Sequence, residues 1–286
     1  MSFRTLKQQH PALRDDIGDL VTRRPLPNAQ LPQLDPFLFL NHHGPQVYPA
    51  NNQGLPFGPH PHRGFETVTF ILEGELAHLD SGGHESVINE GGIQWMTAGS
   101  GLVHAEISPA SFKRSGGPLE ILQLWVNLPA RLKMTQPAYT GLQQADIPAI
   151  EAAEGLATVS LISGEFDGQQ GPYVSQTGIT MMTAQCRAGA QLTLPAPAGH
   201  TVFLYVVRGD LSLNGQALKP HHLIELNDEG DSVTLAASGE AVILYGHAQP
   251  FNEPVVSYGP FVMNSREEIN QAIVDYQAGK FGDVTL

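Results

Sequence analysis

Two short stretches carry residues able to hold a metal ion. The first reads Gly58-Pro-His60-Pro-His62-Arg-Gly-Phe-Glu66, and the second Gly101-Leu-Val-His104-Ala-Glu106. Residues two apart on a strand face the same side, so His60 and His62 can point at one ion. His104 and Glu106 share that alternation. Three imidazoles and a carboxylate suit iron(II), manganese, nickel, copper or zinc, and do not choose among them. A bare His-x-His pair is more often structural. The second pair, inside the same strand-rich half, turns the balance toward ligation. Glu66 competes with Glu106 for the carboxylate role, and spacing does not separate them. Arg63 and Gln123 are candidate hydrogen-bond donors around the ligands, although Arg63 equally suits a structural salt bridge. Phe65 and Trp95 could line a pocket, but large aromatics are more often core. His42, His43, His78, His84, His200, His221, His222 and His247 lack such company and read as structural or surface residues.

Strands must position these groups. Glu66-Thr-Val-Thr-Phe-Ile-Leu72, Leu76-Ala-His-Leu79, Glu85-Ser-Val-Ile88, Ile93-Gln-Trp-Met96 and Leu119 to Val126 are short, β-prone and separated by Gly-rich turns. That pattern predicts an all-β sandwich or barrel. Phe70-Ile-Leu-Glu-Gly74-Glu-Leu76 overlays on Tyr205-Val-Val-Arg-Gly209-Asp-Leu211, which marks an internal repeat. The overlay sets Pro195, Pro197, Thr234 and Ala236 opposite His60, His62, His104 and Glu106. The reading is a metal-binding domain over 1–134, a Pro-rich linker over 135–155, and a second copy without ligands over 156–286. The second copy would include a C-terminal helix. Ser265 and Glu268 form its capping box, Ile269, Ala272, Ile273 and Tyr276 its apolar stripe, and Gly279 its stop.

Composition excludes several classes. Net charge is −13, which argues against nucleic-acid and anionic-membrane partners, since both reward Lys/Arg clusters. Cys186 is the single cysteine, so no intrachain disulfide or thiolate-rich zinc site can form. Its default role is packing. The first ten residues lack the apolar core of a secretion signal, and no apolar run spans a bilayer. A soluble cytoplasmic protein is expected. Gly99-Ser-Gly101 lacks the nucleophile-elbow frame, and no phosphate loop or dinucleotide fingerprint is present.

Longer motifs now bear on identity. Pro59-His-Pro-His-Arg-Gly-Phe-Glu-Thr-Val68, Gln94-Trp-Met-Thr-Ala-Gly99, Gly101-Leu-Val-His-Ala-Glu106 and Leu122-Gln-Leu-Trp-Val-Asn-Leu-Pro129 resemble the pirin family of the cupin superfamily. Asp35-Pro-Phe-Leu, Tyr258-Gly-Pro-Phe-Val-Met-Asn264 and Tyr276-Gln-Ala-Gly-Lys-Phe-Gly282 extend the resemblance over nearly the whole chain. It implies a bicupin, two β-barrel domains of which the first bears a metal. The implied ligands are His60, His62, His104 and Glu106, with iron(II) favoured and manganese, nickel, copper, cobalt or zinc as alternatives. Glu66 falls where many other cupins place their glutamate, but pirin-like proteins use the later one. Two functions follow from the resemblance. One is a quercetin 2,3-dioxygenase, with a flavonol-like substrate, O2, and Glu106 as both ligand and base. The other is a non-catalytic metal or redox sensor that binds a protein partner. Two domains in one chain favour a monomer.

Overall fold

The computed structural model describes residues 2–286. The all-β expectation holds: strands dominate, and the one long helix is Arg266–Gln277 near the C-terminus. No helix among the described residues is long and apolar enough to cross a membrane.

The chain forms two compact units that are interleaved in sequence. One comprises the N-terminal segment up to Leu13, Pro25–Pro36 and Asp146–Pro250. The other comprises Arg14–Arg24, Phe37–Ala145 and Phe251–Leu286, and it contains both histidine motifs. The C-terminal helix therefore groups with the histidine motifs rather than with the second repeat. Ile269 and Ala272 explain why: they are buried in a cluster with Val103, Phe261, Met263 and Phe281. Ser265 accepts a hydrogen bond from the Glu268 amide as N-cap, while Tyr276 stays 41% exposed. Strands also occupy the stretch read as linker. Ala138–Leu142 pairs with Ile93–Thr97, and Ala149–Ala152 pairs with Ala157–Ser163.

In the unit with the motifs, two sheets face each other. The smaller has the order Phe57–His62, Leu102–Ile107, Glu75–Asp80, Glu85–Asn89. The larger includes, in order, Ala138–Leu142, Ile93–Thr97, Phe65–Glu73, Gly117–Asn127 and Phe37–Tyr48. Phe37–Tyr48 continues as a strand through Asn41, because Asn41, His42 and His43 pair with Gln123, Leu122 and Ile121. Leu76 and Ile88 from one sheet pack with Ile71, Leu119 and Ile121 from the other. Alternation along the strands then decides which side chains enter the space between the sheets.

The other unit is built on a nine-stranded sheet around Thr201–Leu213 and Ser232–Ala248. Its core joins Leu192, Leu204, Leu235, Ile243 and Tyr245, all nearly inaccessible.

Candidate metal centre

His60 and His62 project from the strand Phe57–His62, and His104 lies on the adjacent antiparallel strand, directly paired with His60. One ring nitrogen from each of the three lies within 4.8 Å of those of the other two, close enough for the three to hold one ion. Their ring centroids are 4.4 to 5.0 Å apart. Two nitrogens each about 2.1 Å from one ion are at most about 4.2 Å apart, so small ring rotations suffice to share it. Among the described residues this is the one such group of three or more His, Cys, Asp or Glu.

The polar inventory fits a cation. His104 is buried, yet neither of its ring nitrogens has a hydrogen-bond partner. An unsatisfied buried polar atom costs about 1–3 kcal/mol, and a metal–nitrogen bond would offset it. His60 Nδ1 donates to the Gly58 carbonyl at 2.7 Å, and His62 Nδ1 to the Pro260 carbonyl at 3.4 Å. Those bonds place the proton on Nδ1 and leave Nε2 with a lone pair. Burial, reinforced by His60, pushes His62 down to about 3. Burial, reinforced by His62, His60 and His78, holds His104 well below the ordinary histidine range. Both are therefore neutral donors at physiological pH.

Glu106 stands beside the triad, with Oε2 3.9 Å from His104 Nε2. Its Oε1 accepts from Thr69 Oγ1 at 2.9 Å and its Oε2 from Gln123 Nε2 at 2.6 Å. Glu66 lies on the opposite face of its strand from Thr69. There its carboxylate accepts from Thr97 Oγ1 at 2.7 Å, away from the histidines. The same alternation separates two aromatic candidates. Phe65 lies 5.0 Å from the His62 ring, whereas Trp95 pairs with Val68 on the far face. Trp125 occupies the place considered for Trp95, 5.3 Å from His62, 4.4 Å from Phe65 and stacked on Phe39 at 4.5 Å. Arg63 is a salt-bridge partner, bonded to Asp275 at 2.8 Å.

One neighbour escaped the sequence reading. His78 is buried, pairs across strands with Glu106, and lies 5.4 Å from the His104 ring. It stacks on Tyr139 and bonds Asp80 at 2.9 Å. Only the pairing of Glu75–Asp80 with Leu102–Ile107 brings it there, and no local spacing signals it.

The repeat offers no equivalent donors. Gln191–Pro195 pairs with Ser232–Ala248 so that Pro195 lies opposite Ser232, two residues from the overlaid Thr234. Pro195, Pro197, Ser232, Thr234 and Ala236 carry no imidazole or carboxylate.

The chain is similar to known proteins over most of its length. The family model described as Pirin matches residues 19–126, and that for the pirin C-terminal cupin domain matches residues 181–282. A Pseudomonas aeruginosa protein provisionally named a quercetin 2,3-dioxygenase is 40% identical over 248 residues, 87% of each chain. Human pirin is 39% identical over 91% of this chain and 87% of its own. A crystal structure of quercetin 2,3-dioxygenase from Acinetobacter baumannii superposes with a TM-score of 0.92. It covers 99% of this chain and 100% of its own, at 34% identity.

Proposed function

The chain belongs to the pirin family and contains two cupin domains, and from that premise we propose a metal-dependent dioxygenase that opens flavonols such as quercetin with O2. In this reading His60, His62, His104 and Glu106 hold a single divalent transition metal, with iron(II) favoured. The bound metal supplies Lewis-acid polarisation of chelated oxygens and electron transfer toward O2.

The protein's own groups do the rest. Glu106 Oε2 takes the proton from the flavonol 3-hydroxyl, since cleavage begins from the deprotonated substrate. Thr69 and Gln123 hold that carboxylate in place while leaving each oxygen a further lone pair. Phe39, Phe65 and Trp125 form an aromatic wall beside His62 that suits a flat conjugated ring system. Their apolar surface excludes water from the reacting atoms.

One observation supports the reading: three imidazoles gathered within reach of one ion, of which buried His104 has both nitrogens without a hydrogen-bond partner, bordered by this wall. Names borne by the relatives supply the substrate class. We place the protein in the cytoplasm, as a monomer. The test is aerobic turnover of quercetin by the iron(II)-loaded protein. A depside and carbon monoxide in equal amounts are expected. Unchanged quercetin, with metal confirmed in place, would discard the enzyme and favour the partner-binding regulator.

A further inference from the structure

The segment Phe251–Leu286 lies far in sequence from the histidine motifs, but it is built into their back wall. Pro260 supplies the carbonyl toward which His62 Nδ1 points. The next residue, Arg63, donates its own amide to the same carbonyl at 3.3 Å, and the Val262 amide donates back to the Arg63 carbonyl at 3.0 Å. Gly64 then passes so close that a Cβ would sit 2.0 Å from the Val262 oxygen, at φ +88°. Only glycine permits that approach. Val103, whose side chain alternates with that of His104, packs with Phe261, Ile269 and Phe281.

Two buried cations tie this segment down. The Arg63 guanidinium spans Ser100 and the C-terminal helix, with Nε on the Ser100 carbonyl at 2.8 Å and Nη1 on Asp275 Oδ2 at 2.8 Å. It also lies 4.6 Å over the Phe281 ring. Lys133 Nζ donates to the Gly64 carbonyl, the Val262 carbonyl and Asn127 Oδ1 at 2.9, 3.0 and 2.7 Å. Arg63 is thus fixed at both ends of its fork, one residue from His62.

We infer that the Arg63–Asp275 pair positions a metal ligand: by holding the Pro260 carbonyl against His62, the C-terminal helix sets the tautomer and orientation of that imidazole. Arg63 and Asp275 touch no reacting atom and act through His62 alone. The inference rests on the metal-centre reading above. It makes the last 36 residues, Phe251–Leu286, a functional part of the site rather than a stabilising appendage.

Cobalt(II) binding to the full-length protein, followed by its visible d–d spectrum and by chelator competition, tests this. Asp275→Asn keeps shape but removes the charge, and it should shift the cobalt bands and weaken binding by about tenfold or more. Arg63→Lys cannot reach both Ser100 and Asp275, so a smaller shift in the same direction is expected if Asp275→Asn folds poorly. Ser265→Ala serves as the structural control. It removes the helix cap and lowers thermal stability, but it should leave the spectrum unchanged. Folded Asp275→Asn or Arg63→Lys with the wild-type spectrum and affinity would overturn the inference, as would a spectrum shifted equally by Ser265→Ala. Wild-type protein that binds no cobalt, or binding that survives His104→Ala, would instead overturn the metal centre itself and the positioning role with it.

Discussion

Gln123 Nε2 donates to Glu106 Oε2 at 2.6 Å, while Gln123 Oε1 accepts from Trp125 Nε1 at 3.4 Å. Both residues of this short relay project from Gly117–Asn127 toward the histidines of the facing sheet. The relay joins the proposed base to the aromatic wall through one amide. Replacing Gln123 with Leu removes the donor and frees the carboxylate to rotate. Turnover, metal affinity or both should fall by about 10–100-fold, with little loss of stability. Steady-state kinetics beside a metal titration check this, and unchanged values for both would discount the relay.

The two glutamates that sequence spacing left unresolved lie on different sheets, Glu106 on the smaller one facing Thr69 and Glu66 on the far face of the larger one, so their variants should separate cleanly. Glu66→Gln alters a buried carboxylate bonded to Thr97 and should lower the thermal midpoint while metal affinity stays at the wild-type value. Glu106→Gln should weaken metal binding and suppress turnover. Equal loss of metal from both variants would contradict this assignment.

Lys133 is 1% exposed and bonds three oxygens. Lys133→Met would leave the Gly64 and Val262 carbonyls and Asn127 Oδ1 without that donor. Each orphaned acceptor costs about 1–3 kcal/mol, so a loss of about 3 kcal/mol or more is expected. Urea unfolding measures it, and a change below about 1 kcal/mol would show that other donors or water replace the ammonium.

Asp275 provides a pH signature. Bonds from Lys280, Arg63 and Gln271 hold its carboxyl well below the usual carboxylate range. A lowered folded-state pKa contributes stability that is fully present above the unfolded value of 3.8 and is lost as pH falls below it. Thermal melts should therefore show wild type keeping its advantage over Asp275→Asn from neutral pH down to about pH 4 and losing it progressively below that. Curves that stay parallel below about pH 4 would contradict the ion pair's contribution.

Much of the site was legible because strand alternation is a local property. His60 with His62, and His104 with Glu106, announce shared faces by spacing alone, and Gly-rich turns mark where the strands end. What stayed hidden depends on pairing between distant strands. Glu66 and Glu106 look equivalent until Glu66–Thr97 and Thr69–Glu106 show which face each uses. Trp125, not Trp95, borders His62 because the register against Phe65–Glu73 turns Trp125 inward. His78 arrives through cross-strand pairing with Glu106, and Asp275 reaches Arg63 across 212 residues. No periodicity records such meetings. The capping box at Ser265 predicted the helix, but its docking depended on Ile269 and Ala272 finding Val103.

The central claim is a single metal centre in one of two related units. It is tested most directly by the metal content per chain of iron(II)-reconstituted wild type and His104→Ala, measured on desalted protein. One ion per wild-type chain, and little or none in the variant, is the predicted result. Two ions per chain, or equal metal in both proteins, would contradict it.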